Sequence, residues 1–179
     1  LGYTDVWSGA LTWDGQYRHV GMNVALTGEV GDAKDALFFT SSARHDLRAW
    51  EAGGSLSYQN FTVAGSYGDW DDSGALKVST SKKKAGYWNV GGSFVHGPFG
   101  ASVTYLCSKR GVDATNATAI TTNRGRTELS NLSFGVDYQL APGLMPYAEV
   151  SVFDIDSKDG TGLNKNEGTI VLIGSKLSF

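Results

Sequence analysis

The chain has 179 residues, with 24 Gly, 8 Tyr, 8 Phe and 5 Trp but only 3 Pro and one Cys. A net charge of -3 gives no electrostatic ground for a nucleic-acid partner. The lone Cys107 excludes an internal disulfide framework and a Cys-based zinc site, and no run of about 18 apolar residues offers a transmembrane helix.

Abundant Gly and aromatic residues with little Pro favour long paired strands joined by tight turns. Residue 1 is Leu and runs straight into strand-like sequence, so the chain reads as processed or as part of a longer one. A short alternating block over 6–13 comes first and reads as an incomplete strand. Over 20–30, Val20, Met22, Val24, Leu26 and Val30 alternate with Gly21, Asn23, Ala25, Thr27 and Glu29. Over 49–58, Trp50, Ala52, Gly54, Leu56 and Tyr58 alternate with Ala49, Glu51, Gly53, Ser55 and Ser57. Weaker blocks follow at 61–70 and 86–96. Clear alternation returns at 99–108 and at 131–140, where Leu132, Phe134, Val136, Tyr138 and Leu140 form the apolar set. Two more blocks, 146–155 and 168–179, complete the chain. Strict period two of this kind predicts strands with one apolar and one polar face, about eight of them.

The connections alternate in length. Short ones are Asp14–His19, Gln59-Asn60, Gly97-Pro98 and Ala141–Leu144, while polar stretches of roughly 31–46, 71–84, 109–127 and 156–167 predict long loops at the opposite end. Aromatic residues collect near the short turns (Trp13, Tyr17, Tyr58, Phe61, Phe94, Phe99, Tyr138) and again near the long loops (Trp7, Trp50, Tyr67, Trp88, Tyr105). Two aromatic belts, a period-two wall and long loops at one end predict an all-β fold, an antiparallel transmembrane β-barrel in a bacterial outer membrane. The polar set then faces the interior, with Glu29, Glu51, Asn89, Thr104, Asn131, Asp137, Glu149 and Lys176 as the predicted lining residues. Small residues with scattered carboxylates suit a wide, wet lumen better than the interlocked side chains of a narrow barrel.

The final segment, Glu167 through Phe179, resembles the last strand of bacterial outer-membrane proteins. The blocks Trp50–Tyr58, Phe61–Tyr67 and Tyr147–Phe153 resemble the general porins of alphaproteobacteria. That resemblance implies the last eight or so strands of a sixteen-stranded barrel, a homotrimer in contact with the lipid bilayer and lipopolysaccharide. It further implies passive diffusion of small hydrophilic solutes, no enzymatic activity and no cofactor. By the same resemblance Phe179 belongs to the signal read by the barrel-assembly machinery. The inward-folding loop of that family matches no segment here.

Other chemistry is thinner. Asp154, Asp156 and Asp159 suggest a calcium loop, since hard cations favour clustered carboxylates, but the spacing misses the EF-hand template by one residue. Asp69, Asp71 and Asp72 form a second acidic cluster of the same standing. His19, His45 and His96 have neither metal-ligand spacing nor triad order. Lys82–Lys84, Lys109-Arg110, Arg124 and Arg126 give the long connections a basic character suited to anionic lipid. The alternative to a pore is a small closed eight-stranded barrel serving as anchor or adhesion module, and a lipid-modifying barrel enzyme is a third reading.

Overall fold

The computed structural model describes residues 2–34, 44–75, 77, 85–112, 125–158 and 163–178. They form one antiparallel sheet of nine strands in simple sequence order: β1 (Tyr3–Tyr17), β2 (Val20–Ala33), β3 (Leu47–Tyr58), β4 (Phe61–Asp71), β5 (Ala85–His96), β6 (Phe99–Val112), β7 (Gly125–Tyr138), β8 (Leu144–Lys158) and β9 (Leu163–Leu177). The block expected as an incomplete first strand is β1, a full strand of 15 residues. A register shift between Thr4 and Trp7, with Asp5 at φ 50°, interrupts the alternation at its start.

Local chemistry explains the tight ends. Two residues join β3 to β4 and β5 to β6, and in each case the first has positive φ (Gln59 52°, Gly97 57°), as hairpin turns that follow strand twist require. Ala141-Pro-Gly-Leu144 forms a type II turn: Pro supplies the preset φ, Gly143 takes φ 80°, and the Leu144 amide donates to the Ala141 carbonyl at 3.0 Å. The turn after β1 is tighter than the expected Asp14–His19, because pairing continues to Tyr17↔Val20 and leaves Arg18 and His19.

At the other end two expected boundaries are corrected. The connection placed at 156–167 shrinks to 159–162, and that at 109–127 shrinks to 113–124. Backbone pairing persists through Asp154↔Glu167, Asp156↔Lys165 and Lys158↔Leu163, and through Lys109↔Glu128 and Gly111↔Arg126. Charged residues there imitate loop composition while the ladder beneath them stays regular.

The sheet is a single layer, and among the described residues no apolar side chain is buried. Successive side chains point to opposite faces. One face carries Trp7, Leu11 and Ile173 at 77%, 71% and 79% exposure, with Val24, Leu26, Leu56, Val63, Val90, Val103, Phe134 and Val150 between them. An apolar expanse of that extent needs an apolar environment. Aromatic pairs edge it at both ends. Phe61 and Phe94 lie 4.8 Å apart near the short turns, while Trp50–Tyr67 (5.5 Å) and Trp88–Tyr105 (5.2 Å) lie near the opposite end. Six residues along β5, from Phe94 to Trp88, span roughly 20 Å between the two rows.

Candidate functional site

The opposite face is the candidate site. Register places all eight predicted lining residues on it: Glu29 opposite Ser8 and Ala49, Glu51 opposite Thr27 and Gly68, and Asn89 opposite Ser66 and Leu106. Thr104 pairs with Gly91 and Ser133, Asn131 with Leu106 and Phe153, Asp137 with Gly100 and Tyr147, Glu149 with Gly135 and Leu172, and Lys176 with Met145. Period two suffices for this placement, since a strand in continuous register keeps its faces from end to end.

Two hydrogen-bonded chains cross the strands and end on carboxylates. In the first, the Asn89 amide donates to the Ser66 hydroxyl at 2.8 Å, and the Tyr87 hydroxyl is hydrogen-bonded to both Ser66 and Glu51. Each hydroxyl has a single proton, so Tyr87 donates to the Glu51 carboxylate and accepts from Ser66. In the second, Asn131 donates to Ser133 at 3.0 Å, Ser133 and Ser151 share a 2.6 Å bond, and Ser151 donates to Glu149 at 3.0 Å. Four of the predicted residues are thereby joined in two pairs, Asn89 with Glu51 and Asn131 with Glu149. Charge-assisted acceptors at the ends of such chains are held in orientation by their donors. Single bonds tie neighbours elsewhere on this face: Asn23 donates to Asp14 at 2.7 Å, and the Ser57 and Thr62 hydroxyls lie 2.9 Å apart.

Tyr87 and Trp70 were absent from the predicted lining, although both sit on this face. Parity with Asn89 alone would have found Tyr87. Trp70 is the extra residue of a β-bulge: Asp69 pairs with Gly86 and Asp71 with Ala85, so Trp70 has no partner and turns toward Tyr87, ring centroids 5.3 Å apart. The Asp71 amide donates to the Asp69 carboxylate at 2.6 Å and steadies the bulge. Around these rings lies an open depression of about 570 Å³, lined by Ser8, Ala10, Thr27, Glu29, Ala49, Glu51, Trp70 and Tyr87. A smaller one of about 220 Å³ has Asn89 and Thr104 in its lining, beside Thr62, Ser93 and Ser102.

Charge on this face is one-sided. Among its paired strand residues stand six carboxylates, Asp14, Glu29, Glu51, Asp71, Asp137 and Glu149, against two cations, Arg110 and Lys176. The face is not uniformly polar, however. Leu106, Leu129, Phe153, Ile155, Ile170 and Leu172 interrupt it on β6–β9, and beside Leu129 and Ile155 the apolar face in turn carries Glu128, Asp154 and Asp156.

The remaining candidates do not converge. Asp154 and Asp156, expected in a loop, are strand residues of β8 on the outer face; Asp156 lies 3.5 Å from the Lys165 ammonium, and Asp159 falls outside the described residues. Strand geometry holds the two carboxylates side by side rather than turning them onto one centre. Among the described residues no group of His, Cys, Asp or Glu is placed to hold a metal ion. Asp69, Asp71 and Asp72 serve the bulge and the turn after it. His96 bonds Asn60 at 2.8 Å at the short-turn end, while His45 pairs through its backbone with Gly74 and Ala75 at the other. Phe179 lies outside the described residues.

Comparison with known proteins agrees with this two-faced wall. A family model described as Gram-negative porin matches residues 2–158. Similar curated proteins come from Rickettsia and are themselves uncharacterized. One from Rickettsia conorii is 26% identical over 192 residues, covering 98% of this chain and 41% of the relative. One from Rickettsia typhi is 30% identical over 139 residues, 75% of this chain and 28% of the relative. One from Rickettsia prowazekii is 28% identical over 179 residues, 94% of this chain and 36% of the relative. The chain thus spans about two fifths or less of the length of the curated relatives it matches. No solved structure matches it.

Proposed function

Because this chain belongs to the Gram-negative porin family, we propose that it forms part of the wall of a trimeric outer-membrane pore through which small hydrophilic solutes diffuse passively. The observation that carries this reading is the division of one single-layer sheet into an apolar face edged by aromatic pairs and a face of Ser, Thr, Asn and carboxylates. Lipid offers no hydrogen bonds, so the edges presented by β1 and β9 need partner strands before the sheet can sit in a bilayer. Further strands of a longer chain would close the wall and widen the lumen beyond what side chains can fill. Nine strands in linear order fit that arrangement better than a closed eight-stranded anchor. In this reading the protein does no covalent chemistry. Its partners are lipid, lipopolysaccharide held by basic residues such as Lys109 and Arg126, and the assembly machinery that reads Phe179.

Planar-bilayer recording from the purified native protein tests the reading. Stepwise, ohmic conductance in KCl is expected, with three equal steps per inserted trimer. A native protein that inserts and never conducts overturns it.

A further inference from the structure

The depression beside Trp70 combines features that general permeation does not require. Glu51 has its side chain fixed by the Tyr87 hydroxyl, which in turn is held by Ser66 and Asn89. Glu29 sits diagonally across β2 and β3 from Glu51, a separation of about 7–8 Å between backbones. No hydrogen bond or ion pair among the described residues engages the Glu29 carboxylate, and none pairs Glu51 with a cation. Arg110, the cation of this face nearest in register, stands one strand over and two positions beyond Tyr87, on β6. Beside the carboxylates, on β4 and β5, the Trp70 and Tyr87 rings pack at 5.3 Å and 38°. The floor is made of Ser8, Ala10 and Ala49, whose small side chains leave a hollow of about 570 Å³.

Each part narrows the ligand. Two carboxylates without cations repel anions. Aromatic faces attract a weakly hydrated cation and do little for a small inorganic ion that keeps its water shell. A hollow of this volume falls within the range of small-molecule sites and well above the size of a bare ion. We propose that the Glu29–Glu51–Trp70–Tyr87 hollow is a binding site for organic cations, namely small solutes bearing an ammonium or guanidinium group. The cationic head lies between the two carboxylates and against the face of the Trp70 ring, and the rest of the solute occupies the hollow. Within the pore reading, on which this inference rests, such a site concentrates cationic solutes at the wall and lengthens their passage.

Two measurements separate the site from the pore. In planar bilayers, argininamide is expected to interrupt the KCl current of the native protein saturably, whereas glucose and glutamate at equal concentration are not. Glu51→Gln and Trp70→Leu should each weaken the interruption by about five-fold or more, the loss of one charge or one cation–π contact. Ser93→Ala, in the smaller depression, should leave it unchanged. In detergent, argininamide should quench a component of the native protein's tryptophan fluorescence that Trp70→Phe removes. If current flows and argininamide neither blocks nor quenches, the site falls and the pore stands. Should quenching persist in a protein that never conducts, the pore reading falls and the site stands. Equal effects of glucose and argininamide would overturn the cation preference.

Discussion

The ring of Tyr87 lies across Gly68. These residues are register partners on β5 and β4, and a Cβ added at Gly68 would run into Cε1 of the ring. Only a strand position without a side chain lets Tyr87 lean over β4 and reach Glu51, which is the partner of Gly68 on β3. The same device recurs where Phe153 covers Gly168 and Tyr147 covers Gly174. Gly68→Ala is therefore expected to lift the ring, break the Tyr87–Glu51 bond and lower folding stability by about 1–2 kcal/mol. Denaturant titration of the native protein against the variant in bilayers measures the loss.

Neighbours on one strand should behave in opposite ways. Val103 points to the apolar face and Thr104 to the polar one, both in the middle of β6. Val103→Arg places a charge in hydrocarbon and is expected to cost about 2–4 kcal/mol of bilayer folding stability. Thr104→Arg should fold nearly as well as the parent and move ion preference toward anions. Folding titrations paired with reversal potentials read both effects, and a similar cost for the two substitutions would contradict the assignment of faces.

Six carboxylates against two cations on the polar face predict a cation-preferring wall. In a KCl gradient the reversal potential should favour K⁺, and Glu51→Gln combined with Glu149→Gln should bring it toward zero. Since the Debye length falls from about 10 Å at 0.1 M to about 3 Å at 1 M, preference should fade as salt rises. A preference independent of salt would point away from these wall charges.

The faces of this sheet were legible because a single layer between two unlike surroundings writes its burial directly into period two. Parity alone puts the residues expected to line a lumen, from Glu29 on β2 to Lys176 on β9, on the one polar face. Failures came where parity and polarity separate. At Asp154–Ser157 and Asn164–Glu167 the apolar face becomes charged while Ile155 turns to the polar one, so a continuing ladder reads as a loop. Trp70 depends on a one-residue bulge that composition does not announce. The chains through Ser66 and Tyr87, or through Ser133 and Ser151, exist only between strands, and no single segment contains their logic.

Gly143 should resist substitution more than other turn residues. Its φ of 80° is strained for any L side chain, and an added Cβ would strike the carbonyl oxygen of Ser178, whose amide donates to the Gly143 carbonyl at 2.8 Å. Gly143→Ala should lower stability by about 1–2 kcal/mol and loosen the end of β9. Pro142→Ala, which only relaxes a preset φ, should lose less than 1 kcal/mol by the same denaturant titration, roughly the entropy of one freed residue.

The charged outer ends of β7–β9 imply where the membrane stops. Arg126 and Glu128 form a 2.7 Å ion pair, and Lys165 faces Asp156 at 3.5 Å, all on the face that carries Val150 and Phe134 lower down. These side chains are each more than one-third exposed, so each pair contributes about 0–1 kcal/mol at most, far too little to hold four charges in hydrocarbon. They must stand in water or among headgroups. Asp156 lies six residues, roughly 20 Å of strand, beyond Val150. On intact cells, in a Cys107→Ser background, Asp156→Cys should react with a membrane-impermeant maleimide and Val150→Cys should not. Labelling of both positions, or of Val150→Cys alone, would place the boundary elsewhere and with it the aqueous end of the wall.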